Sequence, residues 1–225
     1  MSSYLLQSRP ADGVALLTLD RPDRRNALSI DLRDAISDAL DDLAGDPTVR
    51  CVVVTGAGST FSSGFDLREF ESAASDPVLE KRLWASSDRY HRTVLRFPLP
   101  IIAAVNGPAV AGGFDLAVLC DIRLGADTAR FSHPERTFGP VVYGPLRELV
   151  GGGVARDLCL TGREIGAAEA HRVGLLSSVA PPGRLADDAL AVAARTALAP
   201  RELLLGTKAK ILRHAGADAS ATLDL

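Results

Sequence analysis

Two stretches of this 225-residue chain combine glycine, small residues and an acid in a way that suits developing negative charge. They are TGAGSTFSSGFDL, residues 55–67, and NGPAVAGGFDL, residues 106–116. Each follows a short apolar run of buried-strand type, CVVVTG in one case and IIAAV in the other. A glycine pair ahead of a helix lets the backbone approach a ligand closely and leaves the first N–H groups of that helix without partners. The backbone near Gly64 and Phe65 can present a further N–H to the same place. Donors converging from two loops make an oxyanion hole, most useful where charge develops on a carbonyl oxygen, as in a thioester enolate. Asp115 then has a chemical use beside the second loop. Its plainer role is to complement the positive end of a helix dipole from the first turn.

Holding those loops requires a particular series of elements. YLLQSRP and VALLTLD read as a hairpin around Asp12 and Gly13. SIDLRDAISDALDDLAG places Leu32, Ala35, Ile36, Ala39, Leu40 and Leu43 on one helical face, with Ser29 as N-cap and Gly45 as stop. A helix pair is predicted from Leu67 to about Phe97, split near Asp76 and Pro77 because proline suits a helix start. After the second loop the text predicts a helix over Leu116–Cys120, strands IRLGA and ARFSH, and a loop through PERTFGPVVYGP. From Leu146 it turns helical: RELVGGGVARDLCL is interrupted by its glycines, and AAEAHRVG stops on Gly174. LLSSVA is the last predicted strand, followed by helices RLADDALAVAARTAL and PRELLLGTKAKILRH. No repeat of fixed period is present, and the alternation predicts an α/β fold rich in parallel pairing.

Composition narrows the partners. A formal net charge of −3, with no basic cluster interleaved with aromatics, argues against a nucleic-acid partner. No apolar stretch approaches the roughly 20 residues of a membrane span, and MSSYLLQSRP lacks the features of a signal peptide. A cytoplasmic protein is expected. Cys51, Cys120 and Cys159 stand in apolar contexts without a CxxC pair, which predicts buried thiols. The four histidines show no ligand spacing, so no metal is expected.

Four segments together, RPDRRNAL, TGAGSTFSSGFDL, PIIAAVNGPAVAGGFDLAVLCDI and ARFSHPE, resemble the enoyl-CoA hydratase/isomerase (crotonase) family in order and approximate spacing. The resemblance runs from the hairpin to about residue 180. It implies a spiral of ββα units over residues 1–180 and a helical region over residues 181–225 that is short for the family. It further implies that the backbone N–H groups of Phe65 and Gly112 hold the thioester oxygen, and that Asp115 and Glu135 are the catalytic carboxylates. Arg24, Arg25 and Ala27 would lie along the CoA moiety, and Ser63, Gly64, Asp66 and Tyr143 would complete the substrate contacts. The implied partner is an acyl-CoA thioester, with no cofactor beyond that CoA, and the implied assembly is a homotrimer or hexamer.

Adding water across a conjugated enoyl thioester needs one carboxylate to take a proton from water attacking C3 and one acid to protonate C2. Asp115 is expected as the base and Glu135 as the acid, because like charges raise one pKa of a neighbouring pair. Asp115 is one methylene shorter than the glutamate usual in the family's simple hydratases, which leaves a Δ3,Δ2-enoyl-CoA isomerase using mainly Glu135 as the alternative. A non-catalytic acyl-CoA-binding or assembly subunit is the third reading. Ala111 stands where the family often has another glycine, FGPVVYGPLREL is shorter than its glycine-rich turn, and His133 could bias the protonation of Glu135. A dinucleotide fingerprint is excluded by Phe61 in place of the last glycine of GxGxxG, and no GxSxG frames Ser62 or Ser63.

Overall fold

The β-branched runs of the sequence become the centre of a mixed sheet in which alternate residues serve opposite layers. The structure is a computed structural model that describes residues 4–137, 139 and 141–215. Its strands are β1 (Leu5–Ala11), β2 (Val14–Leu19), β3 (Cys51–Gly56), β4 (Ile101–Val105), β5 (Pro108–Val110), β6 (Ile122–Ala126), β7 (Arg130–Ser132), β8 (Ile165–Gly166) and β9 (Ser178–Ala180). Its helices are α1 (Ile30–Gly45), α2 (Leu67–Ala73), α3 (Pro77–Arg96), α4 (Gly112–Leu119), α5 (Gly144–Thr161), α6 (Ala167–Arg172), α7 (Leu185–Thr196) and α8 (Arg201–Ala215).

The main sheet has the order β1-β2-β3-β4-β6-β9, parallel throughout except for the β1–β2 hairpin. Val52, Val54, Ile101, Ala103 and Val105 face the larger core, with Leu32, Ile36, Leu40 and Leu43 of α1. Cys51, Val53, Ile102 and Ala104 face the other way and are covered by Leu185, Ala189 and Ala193, one stripe of α7. This two-sided burial is why CVVVTG and IIAAV read as continuous apolar runs rather than alternating ones. A second sheet, β5-β7-β8, is tied to the first glycine loop by a bridge between Ser62 and Ala109. Cys51, Cys120 and Cys159 are buried and unbridged.

Caps fall where the sequence predicts them. The Ser29 side chain accepts from Leu32 N–H, Gly45 is the last residue of α1, and Asp76 with Pro77 opens α3. Other elements differ from the expectation. The helix expected at Leu116 begins at Gly112, so the glycine pair and Asp115 belong to its first turn. Both glycines are dictated by crowding: a Cβ on Gly113 would stand 2.3 Å from the Ser62 carbonyl oxygen, and one on Gly112 would stand 2.7 Å from the Phe65 ring. Strands β5 and β8 were not foreseen, being three and two residues long. The predicted break in the glycine-rich helix is a sharp kink at Gly151, with φ of 76°, inside a helix that starts at Gly144 rather than after Leu146. Phe138 and Pro140 of the loop after β7, and residues 216–225 of the expected C-terminal region, lie outside the described residues.

Buried cations staple these layers. Arg123, 3% exposed, donates to the carbonyls of Ala117, Cys120 and Leu175, closing the C-terminus of α4. Lys208 of α8 is equally buried and pairs with Asp121 at 2.5 Å. The other oxygen of Asp121 accepts from Ile101 N–H.

Candidate active site

The turn RPDRRNAL is assembled around Asn26, which is fully buried and held at a φ of 53°. Its amide donates to the carbonyls of Ala57 and Thr60, and its oxygen accepts from Arg21 N–H. Those bonds fasten the turn to the loop after β3. The Ser62 hydroxyl continues the lacing by donating to the Asn26 carbonyl and accepting from Gly64 N–H. Gly64, at a φ of 85°, sits so close to the second loop that a Cβ there would lie 2.8 Å from the Val110 carbonyl oxygen and 3.1 Å from Gly112 N. Only glycine fits between the two loops.

The consequence is a pair of backbone donors side by side. Among the described residues the N–H groups of Phe65 and Gly112 donate to no protein acceptor, the latter because it opens α4. The Phe65 ring is clamped from behind by Arg33, whose guanidinium lies 4.3 Å from the ring centroid. Arg33 is itself fully buried and donates to the carbonyls of Leu28 and Leu83 and to Ser86 Oγ. No pattern in the sequence singled it out, because an arginine within a helix normally reads as solvated surface.

Asp115 and Glu135 are brought together, as expected. Their carboxylates flank His133, whose Nδ1 lies 2.8 Å from Glu135 Oε1 and 3.9 Å from Asp115 Oδ1. A second histidine, His91 of α3, faces Asp115 from the other side, with Nε2 at 4.0 Å from Oδ2. His91 sits on the apolar stripe of α3 with Leu83, Tyr90 and Val94, so by sequence it reads as core. Its Nδ1 donates to the Ser87 carbonyl at 2.9 Å, which leaves Nε2 as an acceptor. Five buried polar atoms of this cluster lack partners among the described residues: Tyr90 Oη, His91 Nε2, Asp115 Oδ1, His133 Nε2 and Glu135 Oε2. A buried polar group without a partner is costly, and such groups gather where a ligand completes them.

Burial sets the electrostatics. Desolvation pushes the Asp115 carboxyl up to about 7; the Glu135 charge adds to the rise, while His133 and the Val142 N–H oppose it. Burial pushes His91 down to about 4, so its ring is neutral. For His133 burial works against the cation, yet the bond to Glu135 and the charges of both carboxylates outweigh it and raise the pKa. Asp115, His133 and Glu135 each offer one donor atom within 4.8 Å of the others. That spacing is within reach of a cation, but the 2.8 Å hydrogen bond already engages His133 and Glu135 with each other.

The remaining expected contacts divide. Arg24, Arg25, Ala27, Ser63, Phe65 and Asp66 line one cleft of about 300 Å³, to which Arg68 of α2 adds a cation that the motif did not include. Asp66 is a framework residue within it: it caps α2 through Arg68 N–H and pairs with Arg21 at 3.1 Å. Tyr143 is half-buried against the main core at the start of α5, next to Val142, and it does not line that cleft. A wider groove of about 1090 Å³ between β1 and α1 is lined by Asp31, Asp34, Asp38 and Asp42, shares no lining residue with the carboxylate cluster and has the wrong charge for phosphates.

The Enoyl-CoA hydratase/isomerase family matches residues 9–223. A Thermus thermophilus protein provisionally assigned as an enoyl-CoA hydratase is 42% identical over 208 residues, covering 90% of this chain and 82% of its own. The solved enoyl-CoA hydratase of Bacillus anthracis superposes with a TM-score of 0.87 at 29% identity, covering 96% of this chain and 85% of that one. A monofunctional enoyl CoA isomerase from M. smegmatis gives 0.81 at 32% identity, covering 96% and 95%. By that match the chain belongs to the enoyl-CoA hydratase/isomerase family.

Proposed function

We propose that this protein is an enoyl-CoA hydratase, adding water reversibly across the 2,3 double bond of an enoyl-CoA thioester. The observation that carries the reading is the facing pair Asp115 and Glu135, bridged by His133, in the same site as the partnerless N–H groups of Phe65 and Gly112. The two N–H groups would bind the thioester oxygen and stabilise the enolate. Arg24, Arg25 and Arg68 would meet the CoA phosphates at the cleft mouth. No cofactor beyond the CoA of the substrate is needed for this chemistry.

The electrostatics favour the opposite division of labour from the one expected by sequence. Asp115, with a carboxyl raised to about 7 and the acceptor Nε2 of His91 facing it, suits the proton donor to C2. Glu135 Oε1 lies 2.8 Å from His133 Nδ1, a position that suits the base deprotonating the water that attacks C3.

Mixing the protein with crotonyl-CoA and following loss of the conjugated thioester absorbance tests this, with Asp115→Asn and Glu135→Gln alongside. Turnover abolished by either substitution supports two-carboxylate hydration. The competing reading, a Δ3,Δ2-enoyl-CoA isomerase, is favoured by the short side chain of Asp115 and by the M. smegmatis relative. It prevails if crotonyl-CoA is inert and a 3-enoyl thioester is converted in a reaction that needs only Glu135. Binding without conversion of either leaves an acyl-CoA-binding subunit. A cytoplasmic homotrimer or hexamer is the setting we propose: no described helix is long and apolar enough to cross a membrane, and Leu198, Leu203 and Ile211 leave apolar surface exposed on and before α8.

A further inference from the structure

Hydration by two carboxylates leaves the site in the wrong state. Water gives its proton to Glu135 while Asp115 gives one to C2, so each turnover ends with Glu135 neutral and Asp115 charged. Before the next turnover a proton must travel from Glu135 to Asp115.

We propose that His133 is a positioning residue that resets the pair, its Nδ1 passing to Asp115 one proton and recovering one from Glu135. Nδ1 lies 2.8 Å from Glu135 Oε1 and 3.9 Å from Asp115 Oδ1, so one atom faces both carboxylates. The ring is fixed for the task, being 1% exposed and stacked on Phe114 with centroids 4.5 Å apart and planes at 26°. His133 itself sits between β7 and the single turn of Pro134–Thr137 that carries Glu135.

The protons balance. Protonated His133 gives its Nδ1 proton to the Asp115 carboxylate and becomes the neutral Nε2–H ring; that Nδ1 then takes the proton of Glu135, restoring charged Glu135 and cationic His133. No oxidant or co-reactant enters. The surrounding groups are consistent with the direction of transfer. From α3, neutral His91 offers Asp115 an acceptor and Tyr90 raises no competing charge. From α5, burial and both carboxylates keep the Cys159 thiol protonated, with its pKa pushed up to about 11. Arg33 of α1, another buried cation, is directed at Leu28 O, Leu83 O and Phe65 rather than at this pair.

The test is His133→Asn, which keeps an N–H close to the Nδ1 position but cannot exchange protons. With crotonyl-CoA, rapid mixing should show a first turnover near the wild-type rate, a burst of one product per site, and later turnovers at least about tenfold slower, with KM falling alongside kcat so that kcat/KM is little changed. First and later turnovers slowed alike, or neither slowed, would overturn the proposal in favour of a purely structural histidine. This arm rests on the hydratase reading. A second arm does not: with histidine isotopically labelled, the NMR titration of His133 in the otherwise intact protein should move to lower pH in Asp115→Asn and in Glu135→Gln. If either substitution leaves that titration unmoved, His133 does not couple the two carboxylates and the proposal fails. If crotonyl-CoA proves inert while both substitutions shift the histidine, the hydratase reading falls and the coupling stands.

Discussion

Replacing Asp115 with asparagine should make the folded chain more stable while destroying its activity. The carboxyl is 8% exposed and titrates near 7 in the folded protein, against an ordinary value of 3.8. The folded state therefore holds this proton more tightly than the unfolded chain does. Its contribution is favourable at low pH and is lost as pH rises from about 4, levelling off above about 7. A shift of about three units at 1.36 kcal/mol each corresponds to a penalty of about 4 kcal/mol at pH 8 and about 2 kcal/mol at pH 5. Asparagine has nearly the same shape and never ionises. Urea unfolding of both proteins at pH 5 and pH 8 should show Asp115→Asn the more stable at pH 8, with the gap narrowing by about 2 kcal/mol at pH 5. Loss of the carboxyl should lower kcat at least about a hundredfold. A variant no more stable than wild type at pH 8, or a gap independent of pH, would refute the claim that burial of this charge opposes folding.

Other substitutions probe the frame around the pair. Arg33→Met should cost about 2 to 4 kcal/mol, because it leaves the carbonyls of Leu28 and Leu83 without their buried donor, and kcat should fall as Phe65 loses its clamp. Chemical denaturation and steady-state kinetics read the two effects separately. Gly112→Ala places a Cβ 2.7 Å from the Phe65 ring, which Arg33 holds from behind, and should reduce kcat about ten- to a hundredfold and cost about 1 to 3 kcal/mol of stability. Ala111 holds a φ of 52°, a region glycine occupies freely, so Ala111→Gly should relieve about 1 kcal/mol of strain and raise Tm by a few degrees in calorimetry.

What the sequence made legible was local or repeated. The i, i+3, i+4 pattern and Ser29 cap gave α1, the β-branched runs gave β3 and β4, and Asp76-Pro77 gave the start of α3. Asp115 and Glu135 were readable because their motifs surround them. The start of α4 was missed for a tertiary reason: the glycines serve contacts with Ser62 and Phe65, about fifty residues away in sequence, and not a loop. Arg33 and His91 were hidden for the same reason. Each occupies an unexceptional helical position, and its meaning comes from carbonyls or a carboxylate on other elements. The division of roles that we propose for the two acids rests on burial, which one-dimensional spacing does not contain.

The three thiols divide the molecule in a way that chemistry can follow. Cys51 lies in the layer beneath α7, Cys120 and Cys159 in the layer shared with α1 and α4, and all are raised toward the unreactive thiol form by burial. A thiol reagent therefore modifies each only when its own layer opens. Cys159 also senses the charges of Asp115 and Glu135. Its alkylation rate is a native clock for breathing of the chamber that holds Asp115 and Glu135, with Cys51 timing the opposite side of the sheet in the same sample.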